Sequence, residues 1–517
     1  MGLVEKSWTD VEHWTWEQIC AGEPADFDAK YGQSDAKLAR AFGNSRSISG
    51  SFLRNILLTA ELERKIPTHG VQIKGARIYG DIDLDYGRMS SRLRFQNSRF
   101  DDKISLIEFK SESIVSFESC YFAARGADAF NAGGLAAHHM FLRRSIFRCA
   151  AAVTGATLKG QLDISGSEFP KGIDASEVCA ESFVANGTIC NTLNIANAKI
   201  SGHLDLFHSI VGDKLRLTFA SAGNLQLIDS DIGEFDGLGF ECSGQARISG
   251  TRFAGYVSLQ EAKVGDLTLA PSMRRGTRFS REVDMNWIQI AGVLNLAAAS
   301  FKGMLNLAEA AIGRDVICGI TGSRRTKFQV LDISNANIGG SLRIYQSQFA
   351  KEVTMRGLQV AGDLICGGSA HEPMIFQAEL NLDSSKIDGS LRCWGARFKG
   401  EVSIRDATIG SNLLLSGTSE SANIFDQSLD LGICRVGQQA NLQGIEVAGS
   451  LRLEDVSVGQ HLLIAGVVSK DTKIDSALVG GSIILDGLEV AGQVIPTCDD
   501  HDARAHWRRP MVMMRHG

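Results

Sequence analysis

Proline is scarce in this chain, 7 of 517 residues, against about 5% in an average protein. That excludes proline-rich linkers and makes each proline a marker of where regular structure is interrupted. Aromatic residues are also few, at 7%. Lysine and arginine (53) are nearly matched by aspartate and glutamate (59), leaving a formal net charge of −6. The chain therefore lacks the basic excess of a nucleic-acid binder and the acidity of a strongly anionic surface. No apolar run is long enough to cross a membrane. The uncharged stretch 285–301 is broken by Asn286, Gln289, Asn295 and Ser300, whereas a spanning helix needs about 20 mainly apolar residues. The first twenty residues carry acids throughout and no secretory apolar segment, which predicts a cytoplasmic protein. Eleven cysteines form no C-x-x-C pair and no Cys/His zinc spacing. Buried reduced thiols are expected, with no metal and no cofactor.

Glycine, by contrast, is plentiful at 55 residues, and the chain repeats itself. The pattern L-x-L-x-x-[AS]-x-[IF] recurs every eleven residues, with starts at Leu380, Leu391, Val402 and Leu413 and again at Val283, Leu294, Leu305 and Val316. Each unit divides into two short extended pieces, such as 391–393 and 396–398, whose alternation sends one set of side chains inward. Pieces this short need stacking on identical neighbours to satisfy their backbone. Two units make one coil of about 22 residues, rising about 4.8 Å per coil. The small inward residue (Ala310, Ala336, Ser347, Ser385) permits close packing at the corner, and the larger one fills the axis. The prediction is an all-β solenoid: a four-sided right-handed β-helix of roughly 17 coils, on the order of 80 Å long. Proline placement agrees. Pro67 and Pro496 bracket the repeats, Pro271 and Pro373 fall in insertions, and Pro170 sits at a corner.

The small-x-large inward pairs five residues apart resemble those of pentapeptide-repeat proteins, with an extra residue in every second corner. The opening WTDVEHWTWEQICAGEPADF and the GARIYGDIDLD type of repeat make nearly the whole chain similar to a group of bacterial proteins labelled membrane-associated oxidoreductases. That resemblance implies a bacterial repeat protein. The label implies redox chemistry, but the chain has no G-x-G-x-x-G, no cofactor box and no redox C-x-x-C. No residue is assigned to that activity.

The ends differ from the repeats. Residues 1–70 read as a helical cap over the first coil, which a solenoid needs to protect its exposed edge. Thr9 and Glu12 form a capping box for a helix through Cys20. Ser34 is placed to start a second helix over 35–42, and Phe52, Ile56, Leu57 and Leu62 mark the apolar side of a third. Trp8, Trp14 and Trp16 are expected to pack onto the first coil. Residues 71–496 form the solenoid and 497–517 a flexible tail. A C-terminal coil left open would expose Ile483, Ile484, Leu485, Val490 and Val494 for homodimerisation.

A second period groups the units. Blocks start at Val283, Leu331, Leu380 and Leu429, spaced 48, 49 and 49 residues. Two coils account for 44, so each block carries a short insertion (270–282, 317–330, 365–379 and 414–428). Each insertion ends in a phenylalanine: Phe279, Phe328, Phe376 and Phe425. Recurring at one angular position, the insertions should stack as a ridge. Its charge runs from Arg274, Arg275, Arg278, Arg324, Arg325 and Lys327 to His371 and Glu372, then Glu420. The basic end is the candidate binding site, its guanidinium groups suited to carboxylate or phosphate.

Three functions follow. The first is a non-enzymatic structural or interaction scaffold that presents its loops to a protein partner. The second is a nucleic-acid mimic that blocks a DNA-binding enzyme, which needs a continuous acidic face. The third is a β-helical carbohydrate-active enzyme, with Asp81, Asp83 and Asp85 as candidate acids. Their alternation with Ile82 and Leu84 marks them instead as outward rung positions.

Overall fold

The computed structural model describes residues 7–38, 42–126, 129–369, 372–416, 422–485, 488–490 and 494–497. The chain divides into two compact units, Met1–Gly244 and Gln245–Gly517. It is a parallel β-solenoid of about 18 turns with about 22 residues per turn. The flexible tail expected over 497–517 lies almost wholly outside the described residues.

In the first unit a coil consists of four short strands, as in Val71–Lys74, Arg77–Tyr79, Ile82–Asp83 and Arg88–Met89. Each pairs in parallel with the strand 22 positions on: Val71 with Leu93, Arg77 with Arg99, Ile82 with Ile104, Arg88 with Lys110. This is the predicted four-sided coil. Where the spacing falls to 21, as from Cys190 to Val211 to Ile232, strands run through a corner and lengthen, giving Lys199–Phe207 and Ser221–Ile228.

Inward positions build the core. Phe100, Phe122, Phe147 and Phe169 stack in one column with ring centroids 4.9, 4.0 and 4.6 Å apart. The small inward site does more than leave room. Ser145, Ser167, Ser209 and Ser230 are buried there. Three of these hydroxyls accept from a main-chain N–H one coil earlier: Ser145 from Cys120 at 3.0 Å, Ser167 from Ser145 at 2.9 Å, Ser230 from Ser209 at 3.0 Å. A buried donor at the turn is thus satisfied without breaking the stack.

The second unit repeats the plan. Eight phenylalanines from Phe253 to Phe425 form a continuous stack, with centroid spacings between 4.6 and 5.4 Å. The four that end the insertions belong to it, so they re-enter the core. Cys318, Cys366 and Cys393 occupy inward positions, and Cys434 the small site, all buried.

The N-terminal cap contributes two edge strands as well as helices. Ala25–Asp26 pairs with Ile73–Lys74, and Ser47–Ser49 with Arg77–Tyr79. Helix α1 (Asp10–Cys20) has the expected capping box. The second helix differs from expectation. It is α2, Phe27–Tyr31, and residues 35–38 form a turn. Ser34 is recruited elsewhere: its hydroxyl accepts from Arg46 Nη1 at 2.5 Å, and Arg99 Nη1 donates to the carbonyls of Ala36 and Lys37. The third helical region splits into α3 (Gly50–Leu58) and α4 (Ala60–Glu63) and buries Phe52, Ile56, Leu57 and Leu62 as expected. Trp8 packs edge-on against Phe52 and Trp14 against Phe27, so both rings have partners inside the cap. At Gly50 an added Cβ would stand 2.3 Å from the carbonyl oxygen of Asp81, so only glycine lets α3 sit this close to the first coil.

Candidate functional site: a basic loop ridge

Three of the four insertions of the second unit leave the solenoid through necks closed by a buried polar residue, Met374 standing at that position in the third. At the first, Thr277 Oγ1 accepts from Gly250 N at 2.9 Å and donates to Ala270 O at 2.7 Å. At the second, Thr326 Oγ1 accepts from Gly319 N at 2.8 Å and Ala298 N at 3.0 Å. At the fourth, Asn423 Oδ1 accepts from Ala396 N while its Nδ2 donates to the carbonyls of Cys393 and Leu415. Residues 417–421 beyond that neck lie outside the described residues, and so do His371 and Glu420 of the expected ridge.

The first loop turns tightly, with Ser272 N donating to Arg275 O at 3.0 Å and Met273 fully exposed at its tip. The second is an antiparallel hairpin, Ile320–Thr321 against Arg324–Arg325. The two loops touch, since a Cβ on Gly276 would lie 3.7 Å from Arg324 Cδ. The hairpin reaches the third loop as well. Arg325 Nη2 meets Glu372 Oε1 at 2.7 Å. Arg325 is therefore neutralised within the ridge, and its charge is not on offer to a ligand.

Arg278 and Lys327 stand at the roots of the loops, on outward strand positions of one column. Arg278 registers with Ser300, and Ser300 with Lys327. The same column contains a residue that reading insertions alone misses. Arg252 registers directly with Arg278, which places two guanidinium side chains on adjoining rungs about 4.8 Å apart. The missed signal was the 26-residue step from Arg252 to Arg278 at equivalent repeat positions. Among the described residues, Arg252, Arg278, Arg324 and Lys327 form no ion pair.

The candidate acids of the first unit are committed to the backbone. Asp81 Oδ1 accepts from Lys103 N, Asp83 Oδ1 from Asp85 N, and Asp85 Oδ1 from Ile107 N, at 3.2, 3.1 and 2.9 Å. Asp81 and Asp85 tie coil to coil, while Asp83 closes a turn within its own coil. A groove of about 360 Å³ in the same unit is lined in part by Asp174, Asn194, Lys214 and Arg216. Several of its polar groups are engaged: Asn194 Nδ2 donates to Asp174, and Lys214 and Arg216 share Asp236 at 3.2 and 3.7 Å.

Burial raises the thiols of Cys120, Cys190, Cys318 and Cys434 to about 12, so their thiolates are scarce at neutral pH. No helix among the described residues is long and apolar enough to cross a membrane. At the C-terminal coil Ile483 is half-buried and Ile484 exposed, while the side chains of Val490 and Val494 lie outside the described residues.

No protein-family model, no curated protein and no solved structure matches this chain. These comparisons therefore give no support to the resemblance expected from the repeat and the opening segment.

Proposed function

We propose that the chain is a non-enzymatic cytoplasmic scaffold, a β-solenoid that presents the loops 270–277 and 319–326 to an acidic segment of a partner protein. The observation that carries this reading is the set of four cations, Arg252, Arg278, Arg324 and Lys327, without an acid among the described residues to neutralise them. Like charges on adjoining rungs oppose the stack. An incoming carboxylate converts that repulsion into charge-assisted hydrogen bonds, and arginine forks bind carboxylates bidentately. Methionine and arginine are both enriched at protein interfaces, and Met273 is fully exposed at the tip of the first loop. The net charge of −6 disfavours nucleic acid as the main partner. A second copy of the chain is the partner proposed for the C-terminal coil, where inward Ile474, Val479 and Ile483 are only half-buried.

The test is affinity capture with the full chain as bait, alongside a variant with Arg324→Glu and Lys327→Glu and another with Arg252→Glu and Arg278→Glu. A partner held by the wild type and lost from both variants, each with an unchanged melting temperature, supports the ridge. Identical capture by all three baits refutes it.

A further inference from the structure

The corner between the third and fourth strands of each coil, as between Val283–Asp284 and Gln289–Ile290, holds one residue in the left-handed backbone region. In the second unit several occupants suit that conformation, among them Asn335, Gly357, Ser384 and Asp406. Trp287 does not. It sits there at φ 61° with 59% of its surface exposed. A left-handed conformation is unfavourable for an L residue, and for a bulky side chain it is a true outlier. Burial would ordinarily offset such a cost, but most of this ring stays in solvent.

Its neighbours along the corner are acids. Glu261 precedes it by one coil and Glu309 follows by one coil, both left-handed and exposed. The main chain fixes their spacing: Glu261 N donates to Asn286 O at 3.1 Å and Trp287 N to Ala308 O at 3.2 Å. The three side chains therefore leave the corner about 4.8 Å apart. Glu309 accepts a hydrogen bond from Asn335 Nδ2 at 2.9 Å. Among the described residues, neither carboxylate forms an ion pair. The nearest cation along the sequence, Lys263, is on the adjoining face in register with Gln289.

We propose that Trp287, Glu261 and Glu309 form a docking site for a cationic side chain, lysine or arginine, of a partner polypeptide. Tryptophan is the best aromatic acceptor for a cation held within about 6 Å of its ring. A carboxylate on each side supplies the countercharge and favours a basic ligand over a neutral one. This site uses none of the ridge cations, so it stands or falls independently of them.

The test titrates the full chain with fluorescein-labelled dodecalysine, and with the same peptide acetylated at every Nζ. The expected result is binding of the charged peptide alone, with a change in tryptophan emission. Trp287→Gly should weaken binding at least tenfold and abolish that emission change. Glycine suits the left-handed corner, so this variant should melt at or above the wild-type temperature, which separates loss of the site from loss of the fold. Glu261→Gln with Glu309→Gln should weaken binding while leaving the emission of the free protein unchanged. Equal affinity for Trp287→Gly, equal affinity for the acetylated peptide, or no binding of dodecalysine would each overturn the proposal.

Discussion

Asp205 shows what a shielded outward position does to a charge. Its Oδ1 is buried with no hydrogen-bond partner among the described residues. Burial raises its pKa above the ordinary carboxylate value, and His203 opposes that shift only partly. The folded state therefore holds the proton more tightly than the unfolded chain, so this group's contribution to stability falls as pH rises through the carboxylate range. Asp205→Asn is expected to raise the melting temperature at pH 7, with the gain over wild type disappearing below about pH 3.5, where both states are protonated. Thermal melts at the two pH values decide it; a gain that persists at low pH assigns the effect to something other than charge. The thiols give a second expectation. Cys20 is exposed, while Cys120, Cys190, Cys318 and Cys434 are buried with raised pKa values. Among the described cysteines, iodoacetamide at pH 7.5 should label Cys20 first, and these four only after denaturation. Mass spectrometry of digests reads the order directly.

Within a coil, the alternation of inward and outward residues was plain in the sequence, because stacking makes every coil meet the same two faces. The same logic placed the phenylalanines at the ends of the insertions, which lie in the central stack. What the pattern did not reveal was how the corners are satisfied. A small residue reads as space, yet at Ser145, Ser230 and Thr326 the hydroxyl bonds across coils, and that pairing exists only once the register is set. The misplaced helix has a similar cause: Ser34 resembles a helix cap locally, but Arg46 takes its hydroxyl. Arg252 was overlooked because its partner Arg278 is neighbouring only in the stack. The neck of the hairpin offers a direct test. Thr326→Val keeps the shape but leaves the buried N–H of Gly319 without its acceptor, whereas Ala298 N still donates to Gly319 O at 2.9 Å. Stranding a buried donor costs about 1–3 kcal/mol. The variant should lose several degrees of melting temperature and show faster amide exchange at Gly319. Unchanged exchange there would mean that the loop is held by its strand contacts alone.

For the molecule as a whole, the decisive physical problem is the first coil, whose edge would otherwise offer unpaired N–H and C=O groups to any other strand. The chain solves it with its own cap. Ala25–Asp26 and Ser47–Ser49 cover two of the coil's four strands, and α3 approaches closely at Gly50. Two buried polar anchors fix the cap. Glu12 Oε1 accepts from Ser49 N and Oγ at 2.9 and 2.6 Å. Arg46 bonds Asp28 at 3.1 Å, and the other oxygen of Asp28 accepts from Asn97 Nδ2 at 2.7 Å. Removing one partner of a buried ion pair strands the other and costs about 3–5 kcal/mol. Arg46→Ala should therefore loosen the cap before it unfolds the coils, because each coil depends chiefly on its immediate neighbours. The expected behaviour is a protein that retains its β-sheet circular dichroism but associates with rising concentration, as light scattering would report. An added Asp28→Asn substitution, which removes the stranded carboxylate, should recover part of the monomer. If Arg46→Ala instead melts in one transition, with sheet and cap lost together and no prior association, the cap is part of the same cooperative unit as the coils it covers.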